Sequence, residues 1–209
     1  MNYGNPLFRV PVPVKRKVFI SSFHDGNQNE VDNFIHRWSV QEPVFIPKAI
    51  GAFHNDDFID SNNPDYVMSE IRRKYIDDAS VTIVLIGKCT HSRRYVDWEI
   101  KSSIRQGQDL VPNGLLAYIL PSAIPVFVPG LNWDQQAWPT IPERLGANYN
   151  YYQPANFYGH YYVPPDSAQR LREHIEDAFR DRTNRSHLIK NASAMMDIDA
   201  VCKVCHVRH

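Results

Sequence analysis

Val81-Thr82-Ile83-Val84-Leu85-Ile86-Gly87 is apolar at nearly every position and closes on a glycine. A run this short and β-branched, with no polar break, reads as a strand covered on both faces, as at the centre of a parallel sheet. Working outward, Val18-Phe19-Ile20-Ser21-Ser22 has the same character and gives out into polar residues at its carboxyl end. Pro43-Val44-Phe45-Ile46-Pro47 is too short and Pro-bounded for a helix, and Leu115-Leu116-Ala117-Tyr118-Ile119-Leu120 is closed by Pro121; both read as strands. Helical spacing fills the intervals. Val31, Phe34, Ile35 and Trp38 mark a helix from about Asn29 to Trp38. Asn63 caps a second helix opened by Pro64, with Tyr66, Val67, Ile71, Tyr75 and Ile76 as its buried stripe. Val96, Ile100, Ser103 and Ile104 mark a third, from about Arg93 to Gln106, stopped by Gly107. Strand and helix alternate from residue 17 to residue 120, which predicts an α/β fold with a parallel sheet.

Such sheets bind ligands outside the carboxyl ends of their strands. The loops at 22–27, 50–63 and 88–93 all lie at that edge, so function is expected there. The rest of the chain is organised around this core of residues 17–120. Residues 1–16 read as a Pro-punctuated N-terminal arm, and Lys15-Arg16-Lys17 as a solvated strand entrance. Residues 121–165 are rich in proline and aromatics with little periodicity, an ordered elaboration because the rings need burial. A final helix is expected over 166–182, ending the main domain (17–182), and residues 183–209 read as a polar tail.

Composition narrows the function classes. Charged residues make up 22% of the chain, and 23 basic side chains balance 23 acidic ones. That argues against a bulk basic surface for nucleic acid, and no nucleic-acid partner is expected. No apolar run has the roughly 18 residues a membrane span needs, and Met1–Pro13 lacks an apolar leader core. With three cysteines, too few for a disulfide scaffold, a cytoplasmic protein with no membrane partner is the expectation.

The segment Arg93-Arg94-Tyr95-Val96-Asp97-Trp98-Glu99-Ile100 carries the most chemistry. Glu99 lies one turn after Tyr95 in a helix that starts at the ligand edge. Flanked by Trp98 and Ile100, it reads either as a partly desolvated catalytic carboxylate or as a surface residue. Arg93 and Arg94 sit at the wrong helix end for cations. Either an anion such as a pyrophosphate offsets that, or the arginines are solvated or pair with Asp97. In the tail, Cys202-x-x-Cys205-His206-x-x-His209 offers ligand types for zinc but in a cramped loop. The string Cys-x-x-Cys-His also matches a haem-attachment signature, without an export signal. An incidental tail is the favoured reading, a zinc site or a redox pair the others. Cys89 reads as a small packed residue.

Taken together, Val18–His24, Val81–Gly87 and Arg93-Arg94-Tyr95-Val96-x-x-Glu99-Ile100 resemble the TIR-like family once described as a domain of unknown function, which includes the TIR proteins of bacterial Thoeris antiphage systems. The resemblance spans about residues 17–120 in the right order and spacing. TIR enzymes usually carry Trp-Cys-x-x-Glu where this chain has Tyr95-Val96-x-x-Glu99. The glutamate is retained, and the valine replaces a thiol the chemistry does not need. The resemblance implies a flavodoxin-like, TIR-like parallel sheet flanked by helices, here with a Pro- and aromatic-rich C-terminal elaboration. It also implies cleavage of NAD+ at the nicotinamide–ribose bond, with Glu99 as the catalytic carboxylate. The product would be an ADP-ribose-derived, cyclic nucleotide that activates a separate effector protein in antiphage defence, after a phage-derived trigger. Ser22, Phe23, His24 and Asp25 align with the first TIR loop, which helps hold the dinucleotide. Arg93, Arg94 and Tyr95 stand beside the glutamate, and Phe53 and Asp56 fall in the looser second loop. NAD+ is a substrate there, so no cofactor is expected, tail zinc aside.

Two other classes stay open on the residues. One is a non-catalytic TIR-like module that assembles with partners. The other is a nucleoside N-glycosidase resembling deoxyribosyltransferases. A phosphoacceptor domain needs an aspartate at the end of the third strand, where Ile86-Gly87-Lys88 stands.

Overall fold

The computed structural model describes residues 14–49, 61, 63–108, 110–123, 140–150 and 152–208. Phe53, Asp56, His209 and nearly all of the expected N-terminal arm lie outside the described residues. Among the described residues five strands form one sheet: β1 (Lys17–Ser22), β2 (Ile46–Ala49), β3 (Val81–Ile86), β4 (Gly114–Ile119) and β5 (His160–Tyr162). All pairs are parallel, and the order across the sheet is β2-β1-β3-β4-β5. The helices are α1 (His24–His36), α2 (Pro64–Ile71), α3 (Arg94–Ser103), α4 (Glu143–Ala147) and α5 (Ala168–Asn184). This is the α/β, TIR-like arrangement expected.

Period-two alternation sorts the strand side chains onto two faces. Val18, Ile20, Val81, Ile83, Leu85, Leu116 and Tyr118 pack with α1 and α5, against Phe34, Trp38, Leu171 and Ile175. On the opposite face Phe19 meets α2 and Trp98, while Val84, Ile86, Leu115 and Ala117 meet Val96 and Ile100 of α3. Every residue of β3 is buried, as its unbroken apolar run requires. Gly114 allows α5 to approach β4: a Cβ there would lie 2.0 Å from the Ala178 carbonyl oxygen.

Three elements differ from expectation. The first helix starts at His24, not near residue 29, because the loop residues Phe23–Asn27 already make a first turn. That turn breaks its geometry at Asn27 (φ −141°, ψ 20°), where the amide side chain bonds Glu30 and Ser122 instead. β2 lies three residues later than its apolar run suggests. Val44 and Phe45 are core side chains that precede the ladder, and Pro47 is tolerated because β2 is an edge strand. Finally, the polar C-terminal segment does not hang free. It runs along α3: Lys101 Nζ donates to the Ser193 carbonyl at 2.7 Å, Trp98 Nε1 to Met196 at 2.8 Å, and the Ala200 amide to Ser92 at 2.9 Å. Its polarity reflects what it does, which is to satisfy the outward polar groups of α3. No helix among the described residues is long and apolar enough to cross a membrane.

Candidate active site

The strand order reverses between β1 and β3, and a crevice at such a switch point is where open α/β sheets take their ligands. β1 and β3 run in register to that edge, Ser22 lying opposite Leu85. Gly87 then turns the chain; its amide bonds the Thr90 hydroxyl at 2.9 Å, and a Cβ on it would collide with the Asn27 side chain. The turn delivers α3 beside the end of β1.

α3 is buried at five successive positions, Val96 to Ile100, because the sheet, α4 and the C-terminal segment enclose it. Asp97 and Glu99 are therefore both out of water, at 6% and 5% exposure. Asp97 is fully paired. Arg144 of α4 grips it with Nε at 2.8 Å and a second nitrogen at 3.2 Å, and the Met196 amide donates at 3.1 Å. Glu99 has one hydrogen bond, from the Ser21 hydroxyl to Oε2 at 2.5 Å, and no cation paired with it among the described residues. Burial pushes its carboxyl up to about 8, against the smaller opposing pull of Ser21. A carboxyl buried at a strand switch point, with no charge partner among the described residues, is the arrangement expected of a functional group.

Ser21 was not singled out from the sequence; Ser22 was. Alternation decides between them. Ser21 shares the face of Phe19, toward α3, whereas Ser22 follows Val18 and Ile20 toward the other helix layer. Counting by twos from Phe19 would have found it. Phe23 follows directly, and the Arg93 guanidinium stacks 3.5 Å from its ring centroid. His24 and Asp25 lend backbone to the first turn of α1; their side chains lie outside the described part.

The arginines correct an expectation. The anion at the start of α3 comes from the chain itself. Asp199 accepts the Arg94 amide at 2.7 Å and an Arg93 guanidinium nitrogen at 3.2 Å. The Arg94 side chain reaches the Asp197 carbonyl at 3.3 Å. A carboxylate at a helix N-terminus caps it and complements its dipole, so the cations there are balanced without a pyrophosphate. Nor does Asp97 serve them, since Arg144 holds it. Tyr95 lies edge-on to Trp98, with centroids 5.2 Å apart. The structure thus gathers Ser21, Glu99, Phe23 and Arg93 at the β1/β3 edge, and leaves Arg94 on the side of the C-terminal segment. Two surface hollows, of about 430 Å³ between Arg16 and Arg172 and about 820 Å³ between Lys101 and Lys190, are not lined by Glu99. Ligand chemistry is better sought at the carboxylate than in hollow size.

Cys89 also departs from its reading as a small packed residue. It meets Cys202 and Cys205 of the tail, and burial together with those two thiols pushes it up to about 12.

Residues 19–112, just under half of the chain, match the family model described as Thoeris protein ThsB, TIR-like domain. No curated protein matches the chain. The matched stretch holds most of β1, all of β2 and β3, and α1 to α3 with Glu99, and it ends just before β4. Over residues 19–112 the chain is therefore similar to the TIR-like domain of Thoeris protein ThsB, in line with the α/β fold and with the resemblance read from the sequence.

Proposed function

We propose that this domain cleaves NAD+ at the nicotinamide–ribose bond and that Glu99 is the carboxylate of the reaction. The observation that carries the reading is the buried Glu99 side chain at the β1/β3 switch point, held among the described residues by the Ser21 hydroxyl and by no cation. Nicotinamide in NAD+ is a cationic pyridinium. When its bond to the ribose C1′ breaks, the electron pair passes to the ring nitrogen and a neutral molecule leaves, so no general acid is needed. The ribose is left as an oxocarbenium-like cation. A fixed carboxylate in a dry site stabilises that charge far better than one in water. Glu99 holds a proton at neutral pH in the free protein, and the positive charge of the bound substrate favours its release. An adenine nitrogen or ribose hydroxyl of the same molecule then closes on C1′, giving a cyclic ADP-ribose isomer; a hydroxyl loses its proton in doing so. That nucleotide activates a separate effector in defence, after a phage-derived trigger. Ser22, Phe23, His24, Asp25 and Tyr95 stand at or near the strand edge where the dinucleotide would lie, with Phe53 and Asp56 expected to join them. Arg93 acts by holding Phe23 rather than by meeting phosphate.

The test follows NAD+ loss and nucleotide products by chromatography and mass spectrometry in lysates of phage-challenged cells. Cells making the wild type should yield free nicotinamide and an ADP-ribose-containing product, and cells making Glu99→Ala neither. Equal products from both folded proteins would overturn the role of Glu99. Nucleoside turnover without NAD+ loss would select an N-glycosidase instead.

A further inference from the structure

All three cysteines of the chain converge at one point. Cys89 lies in the turn between β3 and α3; Cys202 and Cys205 lie near the far end of the C-terminal segment. Their sulfurs all fall within 4.8 Å of one another, and those of Cys89 and Cys205, 116 residues apart in sequence, are 3.5 Å apart. A disulfide brings sulfurs to about 2.05 Å. Thiolates at about 2.3 Å from one tetrahedral zinc ion stand about 3.8 Å apart along each edge. The spacing found is thus close to that of ligands sharing an ion and far from that of a covalent pair.

The backbone is shaped to match. Residues 202–206 wrap around a sulfur: the amides of Val204 and Cys205 both point at Cys202 Sγ, each at 3.4 Å, and the His206 amide closes on the Cys202 carbonyl at 2.9 Å. This turn puts His206 in the left-handed region, at φ 60°, the one non-glycine residue so placed among the described residues. Amides directed at a ligating sulfur are the outer-shell support that metal-bound cysteines use. From the facing side His91 accepts the Lys203 amide at 3.0 Å, seating the tail turn on the β3–α3 turn. Cys202 is buried, Cys89 half-buried and Cys205 exposed, so an ion at their centre would have its fourth position open to solvent.

We propose that Cys89, Cys202 and Cys205 form a three-thiolate site for a soft divalent cation, zinc, which staples the C-terminal segment to the turn leading into α3. Each thiol gives up its proton to solvent as the metal binds, and nothing is oxidised or reduced. Soft thiolates select zinc over magnesium or calcium, and the two sequence-local tail cysteines supply only half of a tetrahedral set. The third sulfur comes from the sheet edge, so the metal ties the end of the chain to the turn that delivers α3. This is independent of what Glu99 does.

The test uses the full chain, purified under reducing conditions from zinc-supplemented cells. Elemental analysis should find about one zinc per chain, lost in Cys205→Ser, whose exposed position lets the variant fold. Replacing the zinc with cobalt(II) should give an intense sulfur-to-cobalt absorption band that weakens in Cys89→Ser and in Cys205→Ser. Removing the metal by chelation should raise amide exchange across residues 197–208 at least tenfold, with β3 unchanged. Folded wild type that binds neither zinc nor cobalt would overturn the proposal. So would a cobalt band indifferent to Cys89→Ser, a tail whose exchange ignores the chelator, or a Cys89–Cys205 disulfide in metal-free protein from the reducing cytoplasm.

Discussion

Asp97 and Glu99 stand two residues apart on one helix, equally buried, and could not be more differently served. The face of α3 that bears Asp97 looks toward α4 and the C-terminal segment, which meet it with a bidentate arginine and a backbone amide. The face that bears Glu99 looks toward the end of β1, which offers one hydroxyl. A protein selected only for stability would pair both or ionise neither, since a lone buried carboxyl works against folding. The contrast separates a carboxylate that builds the domain from one kept available for a ligand.

The sharpest way to break the comparison is to exchange the outcomes. Asp97→Ala leaves the Arg144 guanidinium buried without its counter-charge and should destabilise the fold by about 3–5 kcal/mol. Urea unfolding measures it, and replacing Arg144 by methionine in the same chain should recover part of the loss. If Asp97→Ala were as mild as a surface change, the two carboxylates would not differ in kind.

Glu99→Gln should do the reverse. Nicotinamide release should fall on the order of 100- to 1,000-fold, about 3–4 kcal/mol of barrier, while the fold is kept. The pH dependence of stability has a definite sign. In the folded protein Glu99 keeps its proton up to about 8, whereas the unfolded chain releases it near the ordinary glutamate value. Between those limits the folded state binds more protons, so stability falls as pH rises through the window and levels off above about 8. Glu99→Gln removes that slope and should be the more stable protein at pH 9, by on the order of 2 kcal/mol once local relaxation is allowed for. Thermal unfolding of both proteins between pH 5 and 9 checks it; parallel curves would mean that the carboxyl is solvated.

Ser21 sharpens the comparison further. Its hydrogen bond favours the charged form of Glu99, so Ser21→Ala should raise the carboxyl still higher. The rise of kcat/KM with pH, expected to level off above about 8 in the wild type, should shift by about half a unit to one unit toward alkaline pH. Ser21→Thr should bring it back. A fall in rate with an unmoved profile would make Ser21 a packing residue only.

What the sequence made legible follows from how local each cause is. β1 and β3 were readable because a strand buried on both faces must be apolar throughout, and the Asn63–Pro64 start of α2 because a cap is a local device. The glutamate was readable through the pattern around it. Its lack of a cation among the described residues was not, since no spacing says that Arg144, on α4 and beyond the next strand, would take Asp97 rather than Glu99. The start of α1 was hidden by Gly26 and Asn27, residues that argue for a loop even where their neighbours make a helical turn. Asp199 and the meeting of Cys89 with Cys205 join residues more than a hundred positions apart, so only the folded chain could disclose them.

Asp199 gives the smallest effect and tests why the arginine end of α3 is quiet. Asp199→Ala removes the acceptor of the Arg94 amide and the partner of Arg93 together, and should lower stability by about 1 kcal/mol. Asp199→Asn keeps an oxygen for the amide and loses only the charge. If capping dominates, the asparagine variant should give back most of the loss, and denaturation curves of the three proteins will show it. If the two variants are equally weakened, the ion pair with Arg93 carries the effect. In either case the pH midpoint of Glu99 should stay where it is, because Asp199 serves the start of α3 and the tail rather than the β1 crevice. A midpoint that moved with Asp199 would show that Arg93, which bonds Asp199 and stacks on Phe23, carries charge from one region to the other.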